Sequence, residues 1–112
     1  RTASITGAWL AARIAINDLL ERGKLELDPI NDHLAAISVG IYKDTCILDL
    51  DYPEDRDATV DANIVMTGNG QFVEVQSTGE EATYSKSQLD EMLLLAEKGV
   101  NELVEAQKSI IT

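Results

Sequence analysis

Six carboxylates fall within the thirteen residues from Asp49 to Asp61, with Arg56 the only cation among them. The same stretch contains Pro53, which has no N–H to give a central strand and breaks a helix interior. Apolar runs flank it, Cys46-Ile47-Leu48 before and Ile64-Val65-Met66 after. The pattern predicts an acidic loop held between two buried strands, and the rest of the chain must fold around that break. Carboxylates this dense raise one another's pKa unless a cation offsets the repulsion. Two outcomes are open on local grounds. One is a solvated loop in an acidic protein. The other is a set of oxygen ligands for Mg²⁺, Mn²⁺ or Ca²⁺. An EF-hand is excluded, because Pro53 stands where a third ligand belongs and no glycine follows.

The chain has 112 residues, enough for one domain or part of one. Its 45% hydrophobic content supports a core, but with one Phe and one Trp that core must be aliphatic. Cys46 is the only cysteine, so no intrachain disulfide forms, and its apolar neighbours predict a buried small hydrophobe. No apolar run approaches the 18 residues of a membrane span, and no signal peptide is visible. The chain begins at Arg1 rather than Met, which reads as a processed product or a fragment of something longer. Its net charge of −11 repels a phosphate backbone. If nucleic acid is the target, most of the positive charge must come from elsewhere.

The apolar spacing from Trp9 to Leu20 predicts a first helix, with Ser4 or Thr6 as its cap and Gly23 just beyond its end. Alanines between the large residues broaden its apolar surface beyond one face, predicting burial on more than one side. Leu34 to Tyr42 reads as a strand with Ile37, Val39 and Ile41 on one face. On the other, Ala36, Ser38 and Gly40 suit close helix packing. A turn at Lys43-Asp44-Thr45 leads to an antiparallel partner from Cys46 to Asp51. Asp61 to Met66 and Gln71 to Gln76 form a second hairpin around Gly68-Asn69-Gly70. Ser77 to Thr83 reads as a polar loop. Ser85 and Gln88 then have the form of a capping box for a long helix running to about Ile110. Gly99 inside that helix costs about 1 kcal/mol relative to Ala, which points to a close contact. The order is helix, four mainly antiparallel strands, helix: an α+β fold.

Among candidate site residues, Asp55 lies in the acidic loop and Asp61 opens the third strand, so both can reach one metal. Arg1 precedes a hydroxyl-rich segment leading into a helix, a setting that favours phosphate. His33 has no second ligand or nucleophile near it in sequence and reads as structural or surface, and Trp9 reads as core. Gly68-Asn69-Gly70 lacks the Lys and following helix of a phosphate loop. No nucleophile elbow is present.

Several of these segments together resemble the bacterial ribonuclease PH family. They are Arg1-Thr2-Ala3-Ser4-Ile5-Thr6-Gly7-Ala8, Ala35-Ala36-Ile37-Ser38-Val39-Gly40, Asp49-Leu50-Asp51-Tyr52-x-Glu54-Asp55 with Asp61-x-Asn63, Val65-Met66-Thr67, and Val73-Glu74-Val75-Gln76-Ser77-Thr78-Gly79-Glu80. The likeness covers essentially the whole chain and corresponds to the C-terminal half of such an enzyme. It implies half of a ribonuclease PH-like (ribosomal protein S5 domain 2-like) fold. It also implies a cytoplasmic phosphate-dependent 3′→5′ exoribonuclease, a nucleotidyltransferase that trims transfer RNA precursors and releases nucleoside 5′-diphosphates. It assigns phosphate contact to Arg1, and catalysis with Mg²⁺ (or Mn²⁺) to Asp55 and Asp61. Which aspartate is ligand and which is general acid stays open. The implied assembly is a hexameric trimer of dimers. The family's N-terminal half, with its basic RNA-binding surface, is absent from the 112 residues. That departure agrees with the −11 charge and predicts that the piece alone is inactive. Two other readings compete: a non-catalytic assembly subunit of an exosome-like ring, and a plain acidic metal-binding module.

Overall fold

A computed structural model describes residues 2–28, 30, 32–48 and 58–111. Helix α1 (Thr2–Glu21) is followed by strands β1 (Leu34–Tyr42), β2 (Thr45–Leu48), β3 (Val60–Thr67) and β4 (Phe72–Gly79), then by helix α2 (Lys86–Ile111). The four strands form one antiparallel sheet in the order β2-β1-β3-β4. The α+β order read from the sequence is the order found. Among the described residues no helix is long and apolar enough to cross a membrane.

The turns follow from local chemistry. Lys43 and Asp44 both take positive φ, 51° and 62°, as a two-residue turn of the twist that suits a hairpin requires. Gly23 ends α1 at φ 71°. The Lys24 N–H bonds the Leu19 carbonyl at 2.9 Å, and the Gly23 N–H bonds the Leu20 carbonyl at 3.1 Å. This pair is a Schellman motif, which satisfies carbonyls left over at the helix end. Ser85 opens α2 with a reciprocal box: Gln88 N–H donates to Ser85 Oγ at 3.1 Å, and Ser85 N–H donates to Gln88 Oε1 at 2.9 Å.

The core lies between α2 and one face of the sheet. Met92, Ala96, Val100 and Val104 recur every fourth residue on α2 and are buried. They join the cluster of Ala35, Ile37, Val39 and Ile41 from β1 with Val60, Ala62, Ile64 and Met66 from β3. Gly99 lets the helix come close. A Cβ there would lie 2.9 Å from Leu48 Cδ1 and 3.0 Å from Ile37 Cγ1. The long helix thus covers the odd-numbered face of β1, where the large aliphatic side chains point, rather than the face of Ala36, Ser38 and Gly40.

Three local expectations change. Ser4 and Thr6 lie inside α1, which already begins at Thr2, so neither is its cap. Thr6 serves a tertiary contact instead, described below. Ser77 to Gly79 extend β4 rather than starting a loop, because β3 runs back to Val60 and supplies partners for them. Among the described residues of helix α1, Trp9 alone is buried, while Ile14 is 50% and Leu19 36% exposed. One face of α1 meets β1, and among the described residues its outward apolar side is not covered.

Candidate active site

Among the described residues, β2 pairs with Val39 to Tyr42 of β1 and no strand neighbours Leu34 to Ser38 on that side. Helix α1 and the end of α2 take its place. The Ala36 N–H donates to Thr6 Oγ1 at 3.1 Å, and that hydroxyl is 3.4 Å from the Ala36 carbonyl. The buried Gln107 side chain donates through Nε2 to the carbonyls of Leu34 at 3.0 Å and Thr6 at 3.2 Å. Backbone groups that a strand would have paired are satisfied by side chains, as buried backbone demands.

Further along α1, Trp9 Nε1 donates to the Asp32 carbonyl at 2.9 Å, and Arg13 Nη2 meets Asp28 Oδ2 at 2.8 Å. Thr6–Ala36, Trp9–Asp32 and Arg13–Asp28 run in opposite senses along the two segments. Helix α1 is therefore antiparallel to β1, and its first turn points toward the Gly40 end of that strand.

Asp61 stands at that end. It is half-buried, second in β3, opposite Gly40 on β1 and Thr78 on β4. It takes part in an interaction within the chain. Because side chains alternate along a strand, Asp61 and Asn63 share the face away from α2. The next row on that face is Ser38, Asn63 and Gln76. Gly40 adds no side chain beside Asp61 and Ser38 adds a small one, so the floor of this face is low. Arg1 and Asp55, the other residues expected at the centre, lie outside the described residues, as does most of the acidic stretch (49–57). Among the described residues no three His, Cys, Asp or Glu side chains gather to hold a metal ion.

A second polar cluster was only partly visible in the sequence. His33 stacks on Trp9 with ring centroids 4.2 Å apart. Its Nδ1 lies 3.1 Å from Gln107 Oε1. Both protons of the Gln107 amide point at carbonyls, so its oxygen faces the imidazole and Nδ1 is the donor. His33 is structural, as its isolation predicted. Asp32 accepts the N–H groups of His33 at 2.7 Å and Asn69 at 3.2 Å. The Gly68–Gly70 turn is thus docked on a carboxylate of its own chain, consistent with its exclusion as a phosphate loop. Gln107 gave no sequence signal, since one amide on a polar helix segment resembles any other.

Two of the described groups have a shifted acidity. The Arg13 guanidinium, then the Ile30 N–H, hold the Asp28 carboxyl below the usual aspartate value. Burial, then the negative charge of Glu91, push the Cys46 thiol up. Neither lies beside Asp61 in the sheet register. A hollow of about 600 Å³ runs along the outer side of α2 between Leu94 and Glu105 and includes no member of the Asp61 face.

Comparison with known proteins gives the context. Residues 32–99 match the model of the 3′ exoribonuclease family, domain 2. The chain is 57% identical over 112 residues to "Ribonuclease PH" of Bacillus subtilis (strain 168), covering 99% of this chain and 46% of that protein. It is 53% identical over 109 residues to "Ribonuclease PH" of Roseobacter denitrificans, covering 97% of this chain and again 46% of the relative. The chain therefore spans about half the length of the curated relatives it matches. Among solved structures, rice (Oryza sativa) Rrp46 aligns with a TM-score of 0.61 at 16% identity, over 70% of this chain and 37% of that one. A chain of the Archaeoglobus fulgidus exosome with RNA bound to the active site aligns with a TM-score of 0.60 at 20% identity, over 77% and 35%. At these identities the two structures speak to the fold alone, and the fold agrees: two helices on a four-stranded antiparallel sheet. With the family model covering more than half of its residues, this chain belongs to the 3′ exoribonuclease family, as its domain 2.

Proposed function

We propose that this chain is the C-terminal half of a phosphate-dependent 3′→5′ exoribonuclease that trims the 3′ ends of transfer RNA precursors. The observation that carries the reading is the likeness along the whole chain to proteins named ribonuclease PH, with Asp61 standing second in β3 opposite Gly40. In the reaction, an oxygen of inorganic phosphate attacks the phosphorus of the last diester. The bond from that phosphorus to the 3′ oxygen of the preceding nucleotide breaks. That oxygen takes a proton, and a nucleoside 5′-diphosphate leaves. Two anions must be held in line and their charge offset.

The reading gives Arg1 the attacking phosphate, which a guanidinium grips bidentately. The antiparallel course of α1 supports this, because its first turn heads for the strand end where Asp61 stands. Asp61 and Asp55 would hold Mg²⁺ or Mn²⁺, whose hard oxygen preference fits carboxylates. Such an ion, when bound, offsets diester charge. Either both aspartates are ligands, or one is the ligand and the other, protonated, gives its proton to the 3′ oxygen.

The reading also assigns partners. The outward side of α1, with Ile14 and Leu19 exposed, would seat the N-terminal half of the same enzyme, which would bring the basic surface this acidic chain lacks. The assembly would be a cytoplasmic hexamer built as a trimer of dimers. The alternative, a non-catalytic ring subunit, draws on the structural likeness to Rrp46 and the archaeal exosome chain. Retention of Arg1, Asp55 and Asp61 favours the enzyme.

The complete polypeptide carrying this chain should release nucleoside 5′-diphosphates from RNA only when inorganic phosphate is present. In it, Asp61→Asn should lower kcat by about a hundredfold or more, the scale of losing one preorganised charge contact. Release of monophosphates without phosphate, or full activity in Asp61→Asn, overturns the reading.

A further inference from the structure

The face of β3 away from α2 holds more than Asp61. Asn63 follows it by two residues, about 6.8 Å along the strand. Ser38 and Gln76 stand directly opposite Asn63 on β1 and β4, as Gly40 and Thr78 do for Asp61. Asn63 and Ser38 are half-buried, and Gln76 and Thr78 are exposed. The strip beside the aspartate is thus a carboxamide, a hydroxyl, a second carboxamide and a second hydroxyl. It has no cation to meet a phosphate and no aromatic ring on which a base could stack. Among the described residues, no hydrogen bond engages the Asn63 carboxamide or the Ser38 hydroxyl.

The chemistry that matches such a strip is a neutral group that donates and accepts at once. A ribose 2′-hydroxyl does both, and it is what separates RNA from DNA at a given site. An amide offers a donor and an acceptor in one plane, and a serine hydroxyl turns to suit. We propose that Asn63, assisted by Ser38, binds the 2′-hydroxyl of a ribose flanking the scissile phosphate and sets the enzyme's preference for RNA. This rests on the functional reading above, which puts the scissile phosphate at Asp61, and it assigns the sugar to the adjacent row.

The test uses the complete polypeptide and four oligoadenylates: all-ribose, 2′-deoxy at the terminal nucleotide, 2′-deoxy at the penultimate one, and 2′-deoxy at both. Binding without phosphate, by fluorescence anisotropy, gives a ribose-to-deoxyribose affinity ratio independent of turnover. The parent should favour ribose by about threefold to tenfold at one of the two positions, the scale of one or two net hydrogen bonds. Asn63→Ala should bring that ratio near one, and Ser38→Ala should lower it part of the way. In turnover, Asn63→Ala should raise KM for all-ribose RNA, leaving KM for phosphate and kcat within about twofold. Asn63→Gln should recover part of the preference. Two results overturn the proposal. One is a parent that does not distinguish ribose at either position. The other is an Asn63→Ala variant with lower melting temperature and an unchanged ratio, which would make Asn63 purely structural. A parent with the ribose preference but no phosphate-dependent release defeats the functional reading while leaving the Asn63 contact standing.

Discussion

Gln107 Nε2 donates to the Leu34 carbonyl at 3.0 Å, joining the last turns of α2 to the first residue of β1 across 73 positions. The same amide reaches the Thr6 carbonyl and His33, so one buried side chain ties together α1, α2 and the start of β1. Gln107→Leu leaves two carbonyls and an imidazole N–H without their partner. The expected loss is about 2–3 kcal/mol, read from urea denaturation of the complete polypeptide. Gln107→Glu should cost more at neutral pH, because it buries an anion against two carbonyl oxygens to which it cannot donate. An exposed-site effect under about 0.5 kcal/mol for both variants would contradict this role.

Gly99 presents opposing terms. Alanine gains about 1 kcal/mol of helix propensity. Its Cβ, however, would crowd Leu48 Cδ1 at 2.9 Å and Ile37 Cγ1 at 3.0 Å. Leu48 is half-buried and its methyl ends can give way, so Gly99→Ala should stay within about 1 kcal/mol of the parent. Gly99→Val adds two more carbons that cannot be accommodated, and should lose about 2–3 kcal/mol. Thermal melting of the two variants separates these outcomes, and equal melting temperatures would refute the close contact.

Asp28 should shape the acid limb of stability. Arg13 and the Ile30 N–H lower its folded pKa. A lowered carboxylate contributes above its unfolded value, about 3.9, and loses that contribution as pH falls through the folded value. The melting-temperature difference between the parent and Asp28→Asn should be constant from about pH 5 to 8 and should shrink below about pH 4. A difference that grows on acidification would reverse the sign and refute the assignment.

Cys46 should react slowly. Burial comes first and the Glu91 charge second in raising its pKa, and the thiolate is the reactive form. Iodoacetamide alkylation near pH 7.5 should lag behind a free cysteine and accelerate only well above the ordinary thiol range of about 8.5. Glu91→Gln should speed it by no more than about threefold, because the larger cause, burial, remains. Reaction as fast as free cysteine at neutral pH would refute this.

The sequence alone determined what depends on neighbours a few residues apart. Lys43-Asp44, Gly68 to Gly70, the Ser85 and Gln88 box and Gly23 all appear where they were read, since turn and cap geometry closes within about five positions. The alternation of Ile37, Val39 and Ile41 placed β1, and the motif segments by themselves carry the family resemblance. Tertiary structure decided the rest. That Thr6 is a sheet partner rather than a cap, that α2 covers the odd face of β1, and that Gln107 joins three elements all rest on contacts 30 to 101 residues apart. The alignment of Asp61 with Gly40 and Thr78, and of Asn63 with Ser38 and Gln76, comes from strand register. A slip of one residue would turn every one of these side chains to the opposite face. Register is fixed only when the apolar rows of β1 and β3 meet the Met92–Val104 stripe of α2, and that is a property of the packed core.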